Sequence, residues 1–97
     1  MNIITTKLGN GTVITKHYDE HSQLHCDNGP AVMSPTSKEW YKHGIKHNID
    51  GYAVFINDKN FTRMEWWKEG KLHRINKPAI VDTDGTIEYW EEGRRIK

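Results

Sequence analysis

Six histidines, four tryptophans and a single cysteine are the side chains of this 97-residue chain with the most chemistry to offer. His17, His21 and His25 recur at every fourth position, and Cys26 follows the last of them. On a helix that spacing would line one face with imidazoles and suggest zinc, which asks for about four convergent ligands in a structural site. On strands and turns the same residues would point apart. His47 and His73 recur in one local context, and a repeated residue usually does repeated structural work. Catalysis needs a base beside a nucleophile, and no unique Ser, Cys or carboxylate pair stands apart from the surrounding pattern. Gly9-Asn10-Gly11 is a hairpin turn rather than a phosphate loop. The expectation is a non-enzyme without metal or cofactor, each histidine held by its cross-strand glutamate, Glu39 or Glu65.

The context that recurs is a tandem unit. Glu39-Trp40-Tyr41-Lys42-His43-Gly44 aligns with Glu65-Trp66-Trp67-Lys68-Glu69-Gly70 and with Glu88-Tyr89-Trp90-Glu91-Glu92-Gly93. The first two continue to His47 and His73 and then to Ala53 and Ala79. A fainter copy runs from His17-Tyr18 to Gly29-Pro30-Ala31. Anchored on residues 18, 40, 66 and 89, the copies lie 22, 26 and 23 residues apart, the mark of a repeat protein.

No segment keeps a helical apolar period, and β-branched and aromatic residues dominate. Strands are expected at 3–6 and 12–15, at 37–42, 61–68 and 86–91 ending in the aromatic pairs, and at 31–33, 53–56 and 79–81. The fold class is all-β: an antiparallel meander of hairpins forming an elongated, twisted sheet. One domain spans 1–97, with an N-terminal hairpin at 2–18, repeats at about 17–38, 39–64 and 65–87, and a partial repeat at 88–97. The turns before Gly44, Gly70 and Gly93 are expected to be three-residue loops with a G1 bulge, because a two-residue type I′ turn would force His or Glu to positive φ. That register sets Trp66 opposite Leu72 and Glu65 opposite His73. Consecutive aromatics on a strand point to opposite faces, so a thin sheet cannot bury both rows.

Fourteen basic against thirteen acidic residues leave a net charge of +1, which disfavours a nucleic-acid or membrane partner bound through clustered positive charge. There is no apolar run of roughly 18 residues and no leader-like segment. A lone cysteine forms no internal disulfide, so a reducing cytoplasm is the expected location.

Repeated aromatic-x-x-x-Gly, His-Arg and Gly-Pro-Ala elements resemble the MORN (membrane occupation and recognition nexus) repeat superfamily, closest to a variant in small bacteriophage-encoded proteins. The resemblance covers residues 17–97 and rests on Trp40, Tyr41, Gly44, His47, Gly51 and Ala53, then Trp66, Trp67, Gly70, His73, Arg74, Pro78 and Ala79, then Tyr89, Trp90 and Gly93. It implies a protein-interaction surface and a phage accessory protein acting on a host protein, with a defence component as one candidate. The expected partner-binding residues are the second aromatic row, Tyr41, Trp67 and Trp90, with Arg74, Arg94 and Arg95. Homodimerisation through the C-terminal edge, nucleotide sequestration by stacked aromatics and self-assembly are the alternatives.

Overall fold

Six tight turns that contain left-handed residues, built in two ways, set the architecture of the computed structural model, which describes residues 2–97. Three turns have a three-residue loop in which the third residue is left-handed: Gly11 (φ 89°), Ser22 (φ 61°) and Gly85 (φ 103°). In each, that residue's amide donates to the carbonyl opening the loop (Leu8, Asp19 and Asp82, 2.9–3.3 Å). The other three are two-residue turns with both residues left-handed: His43-Gly44, Glu69-Gly70 and Glu92-Gly93. These are type I′ turns, whose twist matches that of the flanking strands. The expected three-residue loop with its G1 bulge is therefore corrected at these three turns and occurs instead at Glu20–Ser22.

Fourteen strands follow, with no helix among the described residues: β1 (Asn2–Lys7), β2 (Val13–Tyr18), β3 (Val32–Ser34), β4 (Ser37–Glu39), β5 (Tyr41–Lys42), β6 (Ile45–Lys46), β7 (Val54–Asp58), β8 (Phe61–Glu65), β9 (Trp67–Lys68), β10 (Lys71–Leu72), β11 (Ile80–Asp82), β12 (Ile87–Glu88), β13 (Trp90–Glu91) and β14 (Arg94–Arg95). Eight of them form one antiparallel meander, β1-β2-β3-β4-β7-β8-β11-β12. The remaining six make three small hairpins, β5-β6, β9-β10 and β13-β14, which are the arms of the structure. The molecule measures 39 × 33 × 17 Å. No helix is long and apolar enough to cross a membrane among the described residues.

The strands expected at 37–42, 61–68 and 86–91 are each interrupted, at Trp40, Trp66 and Tyr89. The hydrogen bonds give the reason. The Trp66 amide donates to the Ala79 carbonyl in the main sheet at 2.8 Å, while its carbonyl accepts from His73 in the arm at 3.0 Å. Trp40 does the same with Ala53 and His47. One residue thus belongs to the sheet through its N–H and to the arm through its C=O, and the chain bends there. In the first unit His17 makes these two bonds, to Ala31 and from His25. His17, not Tyr18, is therefore the equivalent of Trp40.

In register across the sheet lie Val32, Glu39, Val54, Glu65, Ile80 and Glu88 on one face, with Val54 and Ile80 buried. Neighbouring positions point to the opposite face, which carries Met33, Lys38, Phe55, Met64, Val81 and Ile87 in a second row. Ala31, Ala53 and Ala79 are fully buried, each paired with the aromatic or histidine at the bend. No large side chain is fully buried, and all four tryptophans are half-buried. Tyr52 closes part of this layer, meeting Trp40 and Trp66 edge-on (5.5 and 6.1 Å) and stacking on Phe55 at 5.1 Å.

Ala53 is fully buried at the point where the strand register continues to Trp40 and Trp66, so a larger side chain there would displace its neighbours. Ala53→Leu is expected to lower stability by about 1–3 kcal/mol, or roughly 4–8 °C in melting temperature for each kcal/mol in a domain of this size. Thermal denaturation followed by circular dichroism checks this, and an unshifted midpoint would contradict the packing.

Candidate functional site

The second aromatic row lies on the face of Val54 and Ile80, and every member is tied down at its polar tip. Tyr41 Oη donates to Glu39 Oε1 at 2.9 Å, Trp67 Nε1 to Glu65 Oε1 at 2.7 Å and Trp90 Nε1 to Glu88 Oε1 at 2.9 Å. The glutamate stands two residues before its aromatic, so both share a face. Burial, reinforced by Glu39, pushes the Tyr41 phenol up to about 12. Glu65 also accepts from Arg63 Nε (2.7 Å), whose Nη1 donates to the buried Asp82 (2.8 Å), extending the network across β8 and β11. The expected Glu–His pairs are thus corrected: these carboxylates hold aromatics.

The histidines do something else. Glu69 N donates to His47 Nδ1 at 2.9 Å, Glu92 N to His73 Nδ1 at 2.9 Å and His43 N to His25 Nδ1 at 3.0 Å. In each case the donor is the first residue of the next arm's turn. The following glycine, Gly44, Gly70 or Gly93, donates to the carbonyl of the residue before the histidine, Leu24, Lys46 or Leu72, at 2.7–2.9 Å. A third bond runs from the residue after the histidine to the second aromatic of the next unit: Cys26 to Tyr41, Asn48 to Trp67 and Arg74 to Trp90. Three bonds therefore stitch each arm to the unit before it. A left-handed Glu or His costs on the order of 1–3 kcal/mol; two turn bonds at about 0.5–1.5 kcal/mol each offset it. That is why type I′ wins over the register expected from residue preferences alone.

The first unit departs from the others by carrying Asp19, a buried residue. Asp19 Oδ1 accepts from the amides of His21 and Gln23 (2.8 and 3.0 Å), and Oδ2 from His43 Nδ1 (2.7 Å). The His43 ring stacks on His25 with centroids 4.1 Å apart and planes at 20°. Ligating atoms of Asp19, His25 and His43 all lie within 4.8 Å, so a metal deserves testing against this geometry. Both His25 nitrogens are committed, Nδ1 to the His43 amide and Nε2 to Asp27 Oδ1 at 2.8 Å. Stacked rings also hold their in-plane lone pairs side by side rather than converging on a point. The donors fit a hydrogen-bonded buttress of the first arm better than a metal centre. His17 lies in β2 and His21 in the loop after it, away from any helical array.

Of the six expected partner-binding residues, the structure brings four together. Tyr41, Trp67 and Trp90 form one row, with Arg95 paired across from Trp90. Lys46 lies over Trp67 (4.8 Å) and Tyr41 (5.8 Å) in the same row. Arg94 is exposed at the last turn. Arg74 sits apart, its guanidinium 3.8 Å from the Trp66 ring centroid. The roles of Glu39, Glu65, Glu88 and Asp19 were missed; the Glu-x-aromatic spacing was the available signal for the first three. Comparisons with protein-family models, curated proteins and solved structures gave no match.

His73→Phe, which fills the same space without an acceptor, is expected to lower stability by about 1–2 kcal/mol. His73→Asn, which keeps an acceptor near the Nδ1 position, should recover most of it. Urea denaturation distinguishes the two, and equal losses would remove the imidazole acceptor from the account.

Asp19 carries a pH dependence. His43, then the Gln23 and His21 amides, hold its carboxyl down at about 2 against an ordinary 3.8. A depressed folded-state value stabilises the fold above the unfolded value and loses that contribution as pH falls through the folded one. Stability should therefore drop between pH 3.8 and about 2. Asp19→Asn should start less stable at neutral pH and fall less steeply across that window, as read by urea titrations at stepped pH.

Proposed function

We propose that the chain is a non-enzymatic protein-interaction module. Its resemblance to phage-encoded MORN-like proteins makes a host protein the partner and modulation of that protein the outcome. The observation that carries this reading is the apolar row on the face opposite Glu39, Glu65 and Glu88. Met33 (37% exposed), Phe55, Met64, Val81 and Ile87 (57% exposed) lie in register across the sheet, broken only by Lys38. Met33 and Ile87 are exposed and Phe55, Met64 and Val81 half-buried between them; apolar surface reaching solvent in this way marks interaction sites, and methionine adapts to the shape of a partner. Where the second aromatic row was expected to be the contact, the glutamates that hold its polar tips make it a better candidate for internal support.

Nucleotide sequestration is less favoured. Stacking a base requires a free aromatic face, yet Arg74 covers Trp66, Lys46 covers Trp67 and Lys97 lies over Tyr89 at 5.0 Å. A base would have to displace a cation at each of these three, and Trp40 is packed edge-on against Tyr52 at 5.5 Å.

Met33→Lys and Ile87→Lys are exposed substitutions expected to leave the melting temperature within a few degrees while reducing partner capture from host extract at least tenfold when combined. Affinity capture with quantitative mass spectrometry, alongside thermal melts, checks both halves. Undiminished capture by a folded double variant would exclude this face.

A further inference from the structure

Two grooves of the same construction open between successive loops that follow the repeat histidines. One has Trp40 in its lining, between residues 26–27 and 47–50; the other, of about 270 Å³, has Trp66, between residues 48, 49 and 51 on one side and 73–75 on the other. They differ in charge. Asp27 and Asp50 line the first, whereas no carboxylate lines the second. In the second groove Ile49 takes the place that Asp27 has in the first, and Arg74 takes the place of Asn48. Asn48, Lys68 and His73 complete its polar lining, with Ile49 and Ile75 as apolar walls.

Arg74 is the unusual member. Its guanidinium lies flat on Trp66 at 3.8 Å and gives one hydrogen bond, from Nη1 to the Pro78 carbonyl at 3.2 Å. No carboxylate lies within ion-pair distance of it among the described residues, whereas Arg63, the other half-buried arginine, has two. Guanidinium carries five donors in a rigid fork suited to carboxylate, so most of its capacity is unspent. A cation held on an indole, beside a second ammonium and between two exposed isoleucines, matches an acidic side chain flanked by an aliphatic one.

We propose that this groove receives an acidic segment of the partner protein, a Glu or Asp carboxylate on Arg74 and Lys68 with an adjacent aliphatic side chain between Ile49 and Ile75. This rests on the protein-interaction reading and names the chemistry of the partner. Burial disfavours the charged form of Arg74, and the opposite charge of a docked carboxylate would offset that cost. An oligonucleotide is the competing anion, disfavoured because the indole face a base would use is already covered.

The probe is a fluorescein-labelled peptide of alternating Glu and Leu, read by fluorescence anisotropy against its Gln-for-Glu counterpart and a labelled oligothymidylate. Binding of the Glu peptide should weaken about tenfold with Arg74→Gln, the loss of one charge-assisted bidentate contact, and about threefold with exposed Lys68→Gln, and it should fall with added salt. Arg74→Gln also removes packing on Trp66, so Lys68→Gln, with unchanged thermal melting, keeps the test valid if the first variant unfolds. Equal binding of the Gln peptide, preference for oligothymidylate, no binding of the Glu peptide, or indifference to Lys68→Gln would each overturn the proposal. Host-protein capture retained by Arg74→Gln but lost in the Met33/Ile87 double variant would overturn it while leaving the broader reading in place; loss in both supports the two together.

Discussion

An imidazole that accepts a backbone amide through Nδ1 is the contact on which the rest of this structure depends. Each arm is a hairpin with two residues per strand, far too short to persist alone. What holds it is the unit before it, through His25, His47 or His73 and the two backbone bonds on either side. The same contact permits a left-handed Glu or His in the turn, which fixes the type I′ register, which in turn places the first aromatic at the bend and the second beneath its glutamate.

Much of the fold was legible because its causes are local. Alternating β-branched residues, Asn-Gly and Asp-Gly turns and the recurring aromatic pairs locate the strands within a residue or two, and the meander follows from short connections. The turn type was not legible. Its energy depends on an acceptor in the preceding unit, 22 residues from Glu69 to His47 and 18 from His43 to His25, and residue preference at the turn contains nothing of that. The register of the first copy was missed for a related reason: His17 occupies an aromatic position, and a loop one residue longer shifts Tyr18 into false alignment.

The candidate contact residues divide along the same line. That two aromatic rows face opposite ways follows from strand geometry. Which row is braced does not, because it depends on glutamates whose partners could equally have been histidines. Charge in the loops is subtler still: Ile49 where the first unit has Asp27, and Arg74 where the second has Asn48, separate a groove bordered by carboxylates from one lined by cations.

The three-bond seam between arms asks almost nothing of the side chains on either side beyond one histidine and one glycine. A duplicated or deleted unit would meet its new neighbours through contacts they already make, so copy number is free to drift by recombination within a reading frame. Each added unit would lengthen the outer sheet face by another pair of strands while leaving the seams unchanged. The breadth of that face can therefore evolve separately from the means by which the array holds together.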